Sequence, residues 1–243
     1  MKVIGLLGGM SWESSAEYYR IINEEVGKRL GKLHSAEIAM YSVDFEPIES
    51  LQHAGDWEGL ARAMVKGARA VEAAGAQMLL ICTNTMHKVV REVEASIKIP
   101  VLHIADAAAD AILAKGLKKV GLLGTRFTME DGFYSDRLAA HGIQVIVPKP
   151  DDRQTVHDII YGELCLGTLK EDSKRSVLNI IERLVEYGAE GVVLGCTELP
   201  LLIHQEDVPV PVFDTTRIHA EKAVETALRE GRSTRLSGTS RVV

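Results

Sequence analysis

A threonine and a cysteine occupy equivalent positions in two similar stretches of this sequence. The stretches are Gly75-Ala-Gln-Met-Leu-Leu-Ile-Cys-Thr83 and Gly188-Ala-Glu-Gly-Val-Val-Leu-Gly-Cys196, and an ungapped alignment places Thr83 opposite Cys196. If the stretches face each other about a pseudo-twofold axis, a hydroxyl and a thiol stand on opposite sides of one cleft. Two proton-transferring groups on opposite faces of one carbon are what inversion of its configuration requires.

The two groups differ in acidity, so we do not expect the two faces of the reacting carbon to be treated alike. A thiol has a reference pKa of about 8.5, whereas a threonine hydroxyl is a far weaker acid. Helix N-termini lower thiol pKa values. Because Cys196 and Thr197 lie at a predicted strand-to-helix turn, we expect the pKa of the Cys196 thiol to be lowered.

The elements that must position this pair alternate between short apolar runs and longer amphipathic patterns, which indicates βα units and a mostly parallel sheet. The first four strands are predicted at residues 3–7, 38–43, 78–82 and 101–104. Ser14-x-x-Glu17 fits the start of the first helix, and Gly75 fits the end of a helix at residues 57–74. The predicted core face of the first helix comprises Tyr18, Ile21, Ile22 and Val26.

Two further matches in the same order indicate an internal duplication. Ile4-Gly-Leu-Leu-Gly8 matches Val120-Gly-Leu-Leu-Gly124, and residues 99–106 resemble residues 208–214. The sequence therefore predicts an α/β fold of two similar α/β subdomains. Each is a roughly four-stranded parallel sheet flanked by helices, and a pseudo-twofold relates them with the site between them. The predicted division is residues 1–98 plus 212–230 for the first half, 99–211 for the second, and a loose tail at 231–243, with a last helix at 215–228 packing on the first half.

Ligands in open parallel sheets bind beyond the carboxyl ends of the strands, and small polar residues collect there in this chain. The candidates for substrate contact at these ends are Met10, Ser11, Asn84, Thr85, Thr125, Thr128 and Thr197. Cys82 is expected to be structural, because neighbouring side chains of a strand point to opposite faces and Cys82 then points away from Thr83. Cys165 fits a helix core position and is also expected to be structural. No metal site is expected, since the four histidines considered lack ligand spacing: His87, His103, His157 and His219.

The composition is that of an ordinary soluble globular protein, with 46% hydrophobic and 26% charged residues among 243. A net charge of -6 argues against nucleic acid or an anionic membrane as the main partner. No apolar run approaches the roughly 20 residues that span a bilayer. The N-terminal apolar run reaches Gly8-Gly9 too early for a signal peptide, so a cytoplasmic protein with free thiols is expected.

Three segments around these candidate residues resemble the aspartate/glutamate racemase family over nearly the whole chain. Cys82-Thr-Asn-Thr-Met-His87 and Leu194-Gly-Cys-Thr-Glu-Leu199 are similar to its two signatures, and the segment from Gly5 to Ser14 is similar to the opening of its aspartate racemase branch. That opening adds Trp12 to Met10 and Ser11 as candidate substrate contacts. Many members carry cysteine before the Asn-Thr pair, whereas this chain has Thr83, as does a bacterial subgroup.

The resemblance implies a cofactor-independent amino-acid racemase that uses neither pyridoxal phosphate nor a metal. It also implies that the protein forms a homodimer. It implies that Cys196 acts on the L-enantiomer and Thr83 on the opposite face. It also implies that the α-carboxylate and amino group are bound by Asn84, Thr85, Thr125, Thr128 and Thr197.

The sequence defines the preferred side chain of the substrate less well than it defines the reaction. Aspartate racemases usually place an Arg after the second strand and a Lys in a second-half helix to hold the distal carboxylate. The matching stretches here, residues 44–48 and 163–167, contain neither. Arg126 or Lys88 could compensate, so aspartate and glutamate stand slightly ahead of neutral or varied side chains. Two alternatives remain: another isomerase or a decarboxylase acting on a small carboxylic acid, and a non-catalytic amino-acid-binding protein.

Overall fold

The structure, a computed structural model, describes residues 1–233 and divides them into two compact units. The first comprises Met1–Cys82, Val89–Leu102 and residues 219–233, and the second comprises Thr83–Lys88 and His103–Ile218. The short segment that carries Thr83 is thus grouped with the second unit, although the strand before it belongs to the first.

The first unit contains three parallel strands with helices between them. In chain order its elements are β1 (Ile4–Gly8), α1 (Trp12–Leu30), β2 (Ile38–Ser42), α2 (Phe45–His53), α3 (Trp57–Ala73), β3 (Met78–Ile81) and α4 (Val90–Glu94). The 3₁₀ helix Thr85–Val89, between β3 and α4 in the chain, belongs to the second unit except for Val89. The strand order is β2-β1-β3, and both pairings are parallel. The core of this sheet includes Ile4, Leu6, Met78 and Leu80, which pack against Tyr18 of α1.

The second unit repeats this arrangement with a fourth strand. Its elements are α5 (Ile104–Ala114), β4 (Lys119–Gly124), α6 (Arg126–Glu130), α7 (Phe133–Ala140), β5 (Gln144–Ile146), α8 (Pro150–Gly162), the 3₁₀ helix Leu164–Leu166, α9 (Glu171–Glu186), β6 (Val192–Gly195), the 3₁₀ helices Leu199–Leu201 and Gln205–Asp207, β7 (Val212–Asp214) and the start of α10 (Thr215–Ser233). The order is β5-β4-β6-β7, all parallel.

The two sheets therefore share one strand order, as expected of a duplicated unit. The difference lies at residues 101–104, where the predicted fourth strand of the first half is wrong. Only Val101 forms a bridge, to Leu79, in the place that β7 holds beside β6. The strand stops there because His103 caps a helix: its side chain accepts a hydrogen bond from the Ala105 N–H, and α5 begins at Ile104.

The start of α1 lies one turn earlier than the sequence pattern indicates. Ser11, not Ser14, is the N-cap residue, and its Oγ accepts a hydrogen bond from the Ser14 N–H at 3.3 Å. The chain turns sharply between β1 and this cap at Gly9, whose φ is 93°. A Cβ at Gly9 would collide with the Val43 carbonyl, so only glycine fits this turn.

The last helix, α10, extends the chain back to the core of the first unit. Its buried residues Ala220, Ala223, Val224 and Ala227 belong to the same apolar cluster as β1 and α1. Gly231 to Ser233, expected in the tail, are helical, and the rest of the predicted tail, residues 234–243, lies outside the described residues. Within residues 1–233, no helix combines the length and apolar character needed to cross a membrane.

Candidate active site

Cys196 directly follows β6 and is buried, with 7% of its surface exposed. Its thiol donates a hydrogen bond to Glu198 Oε2 at 2.9 Å. Burial raises the pKa of this thiol well above its usual value, and the negative charge of Glu198 raises it further. The predicted lowering of this pKa is therefore wrong, because burial is the largest influence on it. The next helix is a single 3₁₀ turn at Leu199–Leu201 that starts three residues later.

Glu198 is a candidate site residue that the sequence pattern did not indicate. It is 6% exposed, and its Oε2 accepts a second hydrogen bond, from Thr197 Oγ1 at 2.8 Å. A buried carboxylate next to a thiol provides an acceptor for the thiol proton, which is the arrangement that activates a sulfur base. The only sequence signal was a carboxylate two positions after a strand-end cysteine, and that spacing alone does not indicate a contact.

Thr83 and Asn84 follow β3, on a segment that hydrogen bonds connect to the end of β6. Asn84 Nδ2 donates to Thr215 Oγ1 at 3.1 Å, and Thr215 Oγ1 donates to the Leu194 carbonyl at 2.8 Å. Leu194 lies two residues before Cys196. Thr215, at the first position of α10, therefore joins the segment that carries Thr83 to the strand that carries Cys196.

Asn84 also has an oxygen available for a ligand. Its side chain is 2% exposed, and its Oδ1 has no hydrogen-bond partner among the described residues. A buried acceptor without a partner costs free energy of about 1–3 kcal/mol. A donor brought in by a ligand, such as an ammonium group, removes this cost.

Three buried threonine hydroxyls form a chain beside this segment. Thr85 Oγ1 lies 3.3 Å from Thr125 Oγ1, which lies 3.3 Å from Thr128 Oγ1. Thr125 is also the N-cap of α6, because its Oγ1 accepts a hydrogen bond from the Thr128 N–H. Hydroxyls can rotate to donate hydrogen bonds outward, so this group can bind a carboxylate.

The seven predicted site residues after β3, β4 and β6 thus all fall in the second unit: Thr83, Asn84, Thr85, Thr125, Thr128, Cys196 and Thr197. The other three, Met10, Ser11 and Trp12, lie in the first unit. Met10 is buried, Ser11 caps α1, and Trp12 is 67% exposed.

The other two cysteines have different surroundings. Cys82 is fully buried in the apolar cluster around β1, and burial raises the pKa of its thiol far above the usual value. Cys165 is half-buried in the 3₁₀ helix Leu164–Leu166, not in an α-helix as predicted, and packs against the apolar cluster that contains Cys196. Within the described part of the chain, no group of three or more His, Cys, Asp or Glu residues could hold a metal ion.

The two cations that could hold a distal carboxylate have partners inside the second unit. Lys88 Nζ forms an ion pair with Asp131 Oδ2 at 2.8 Å. Arg126 donates a hydrogen bond to Gln154 Oε1 at 3.4 Å, and its guanidinium lies 6.0 Å from the centre of the Phe127 ring. Both are therefore held by neighbouring side chains in this structure.

Comparison with known proteins shows the family of this chain. The sequence model of the family described as Asp/Glu/Hydantoin racemase matches residues 7–223. A broad specificity amino-acid racemase, RacX of Bacillus subtilis strain 168, is 22% identical over 235 residues, which cover 93% of this chain and 98% of RacX. A solved structure of a candidate Asp/Glu racemase from Yersinia pestis is 52% identical with a TM-score of 0.89, covering 94% of this chain and 100% of that one.

A second solved structure has the same fold at lower identity. It is an aspartate racemase homologue from Pyrococcus horikoshii OT3, with 40% identity and a TM-score of 0.82, covering 93% of this chain and 99% of that one. The family match extends over most of the sequence, and both similar structures align with more than nine-tenths of the chain. The chain belongs to the Asp/Glu/Hydantoin racemase family.

Proposed function

We propose that this protein is a cofactor-independent amino-acid racemase that interconverts L- and D-amino acids by two-base proton transfer at Cα. The observation that carries the proposal is the buried pair of Cys196 and Glu198 at the end of β6, where a thiol donates to a carboxylate at 2.9 Å. Thr83, at the repeat-equivalent position, supplies the hydroxyl for the opposite face.

Binding of the amino-acid backbone uses the polar atoms beside this pair. The α-ammonium group donates to Asn84 Oδ1, the buried oxygen that has no partner within the described residues. The α-carboxylate accepts hydrogen bonds from the hydroxyls of Thr85, Thr125 and Thr128. Thr197 lies next to the thiol and completes the polar lining. These contacts fix the orientation of Cα, which gives the proton transfers their stereochemistry.

The chemistry requires no net oxidation or reduction. Glu198 accepts the thiol proton, and the Cys196 thiolate then removes the α-proton of the L-substrate, leaving a carbanion stabilised by the bound carboxylate. Thr83 donates its hydroxyl proton to the opposite face while it accepts a proton from water. Glu198 then releases the proton that it took up, which neutralises the hydroxide left from that water and restores the starting state. Because a hydroxyl is a weak acid, Thr83 acts as a relay for solvent protons and does not store a charge.

We propose a broad substrate range that includes aspartate and glutamate and extends to neutral side chains. The support is that Lys88 and Arg126 are engaged by Asp131 and Gln154, and that residues 44–48 and 163–167 supply no other cation. A site without a dedicated distal cation discriminates weakly between acidic and neutral side chains of similar size.

The test is a panel of L-amino acids incubated with the purified protein in deuterated water, followed by chiral chromatography and mass spectrometry. We expect a deuterated D-enantiomer from several amino acids. Turnover of small dicarboxylic acids without any amino-acid racemisation would instead support a related isomerase or decarboxylase. Calorimetric binding of amino acids with no deuterium at Cα would support a binding protein.

A further inference from the structure

His87 holds the backbone of Thr83 through a buried imidazole. It lies in the 3₁₀ helix Thr85–Val89 and is 2% exposed. Its Nδ1 lies 2.9 Å from the Thr83 carbonyl oxygen, and its Nε2 lies 3.3 Å from the Ile104 backbone nitrogen. Both ring nitrogens therefore contact backbone groups of the second unit.

These two contacts determine the tautomer of the ring. The Ile104 N–H can only donate, so Nε2 must accept and carries no proton. Nδ1 then carries the proton of the neutral ring and donates it to the Thr83 carbonyl, which can only accept. Burial lowers the pKa of His87 to about 4, so the ring stays neutral at physiological pH.

The other end of this bridge is a well-anchored helix start. Ile104 is the first residue of α5 and is fully buried, and His103 caps the helix through its own ring. The rings of His87 and His103 lie with their centroids 4.5 Å apart. His87 thus connects the Thr83 backbone to a packed helix terminus. Thr83 itself lies outside helices and strands, two residues before the 3₁₀ helix Thr85–Val89.

We propose that His87 is a positioning residue that sets the placement of the Thr83 hydroxyl for proton transfer at its face of the substrate. This inference rests on the proposed function. Its physical basis is that proton transfer needs a heavy-atom distance near 3 Å. A shift of about 1 Å in a reacting group can cost roughly a hundredfold in rate.

Two matched variants separate this role from general support of the fold. In His87→Asn the side-chain amide lies near the former Nδ1 and can still donate to Thr83. In His87→Gln the amide oxygen lies near the former Nε2 and can still accept from Ile104. Each variant loses one of the two hydrogen bonds, so a purely structural role predicts similar effects for both.

The readout is the fate of an L-amino acid in deuterated water. When the Thr83 side fails, a proton removed by Cys196 is replaced from the same face, and the L-substrate gains deuterium without inverting. We expect His87→Gln to raise the ratio of this exchange to inversion by about tenfold or more, and His87→Asn to stay within a few-fold of wild type. Equal changes in both variants, or none in either, would overturn the inference.

A second measurement needs no variant. In wild-type protein labelled with ¹⁵N-histidine, the ring of His87 should show a protonated Nδ1 and an unprotonated Nε2, and the opposite tautomer would also overturn the inference. Failure of the proposed function is distinguishable, because a wild-type protein that exchanges no α-proton removes both ideas. If wild type racemises and the two variants behave alike, only the assignment of His87 falls.

Discussion

Glu198→Gln tests whether the buried carboxylate is the acceptor of the Cys196 proton. Glutamine has nearly the same shape, and its amide oxygen can accept the hydrogen bonds that the Cys196 thiol and Thr197 hydroxyl now donate. The folded geometry should therefore survive, while the ability to take up a proton is lost. The variant isolates basicity from positioning.

The size of the effect follows from the part that Glu198 plays in the proposed mechanism. A positioned acid or base typically contributes about 10²–10⁴-fold to a rate. Because Glu198 contacts the sulfur directly, we expect kcat for racemisation to fall by at least about 10²-fold in Glu198→Gln. Glu182→Gln, which changes an exposed carboxylate of α9 in the same unit, is the matched control and should leave kcat unchanged.

The same substitution should make the Cys196 thiol easier to ionise, although kcat falls. Burial is the largest cause of the raised pKa of Cys196, and the charge of Glu198 adds to it. Glutamine removes that charge, so the pKa of the thiol falls and its alkylation by iodoacetamide shifts to lower pH. Peptide mapping distinguishes Cys196 from the half-buried Cys165.

The combination of the two readouts makes the reasoning refutable. A variant with a more easily ionised thiol and a much lower kcat fits a carboxylate that accepts the proton. Full activity in a folded Glu198→Gln would show that the thiol loses its proton elsewhere. A lower kcat with an upward shift of the alkylation profile would show that Glu198 lowers the pKa of the thiol, contrary to the effect of its negative charge.

Further predictions concern the site and the stability of the fold. Cys196→Ala should abolish deuterium exchange into L-substrates, whereas Thr83→Val should retain it and lose inversion by at least about tenfold, both measured by mass spectrometry with chiral separation. Tyr18→Phe removes the 2.8 Å hydrogen bond to buried His219 and should lower the free energy of unfolding in urea by about 1–3 kcal/mol; no loss would contradict the contact.

Burial raises the pKa of Asp106, but hydrogen bonds from Arg137 and His141 outweigh it and lower the pKa from 3.8 to about 2. Since a depressed carboxyl pKa stabilises the fold above the unfolded value, that contribution is lost as the pH falls from about 4 to 2. Asp106→Asn should therefore flatten acid unfolding in this window, and an unchanged acid limb would contradict it.

Much of the fold could be predicted because the information is local and repeated. The apolar runs of strand length form β1, β3, β4 and β6 in the structure. The core face of α1 is buried, as the spacing of its apolar residues indicates. The duplication predicted two similar parallel subdomains, and both sheets share one strand order. Errors arose where one side chain decides between two local structures, as when His103 caps α5 and ends a predicted strand.

The candidate site could be predicted only in part, since its contacts join residues far apart in the chain. Thr85 and Thr125 are 40 positions apart, and Asn84 and Thr215 are 131 apart, so no window of sequence contains either pair. The pattern identified which residues are polar at strand ends. It could not identify which of them bond to each other, nor that Glu198 folds back onto the thiol two residues before it.

The difference in acidity between a thiol and a hydroxyl does not affect every kinetic quantity of a racemase. The two enantiomers of an amino acid have equal free energies in water, so kcat/KM must be the same in both directions whatever the catalytic groups are. A weak Thr83 side therefore cannot make the enzyme faster overall from L to D. It can change kcat and KM in compensating ways, and it can raise the fraction of carbanions that return to the L-enantiomer. The two faces of the substrate are served by different pairs: Cys196 with Glu198 on one, and Thr83 with His87 on the other. We therefore expect the difference between these pairs to be largest in the rate of exchange without inversion.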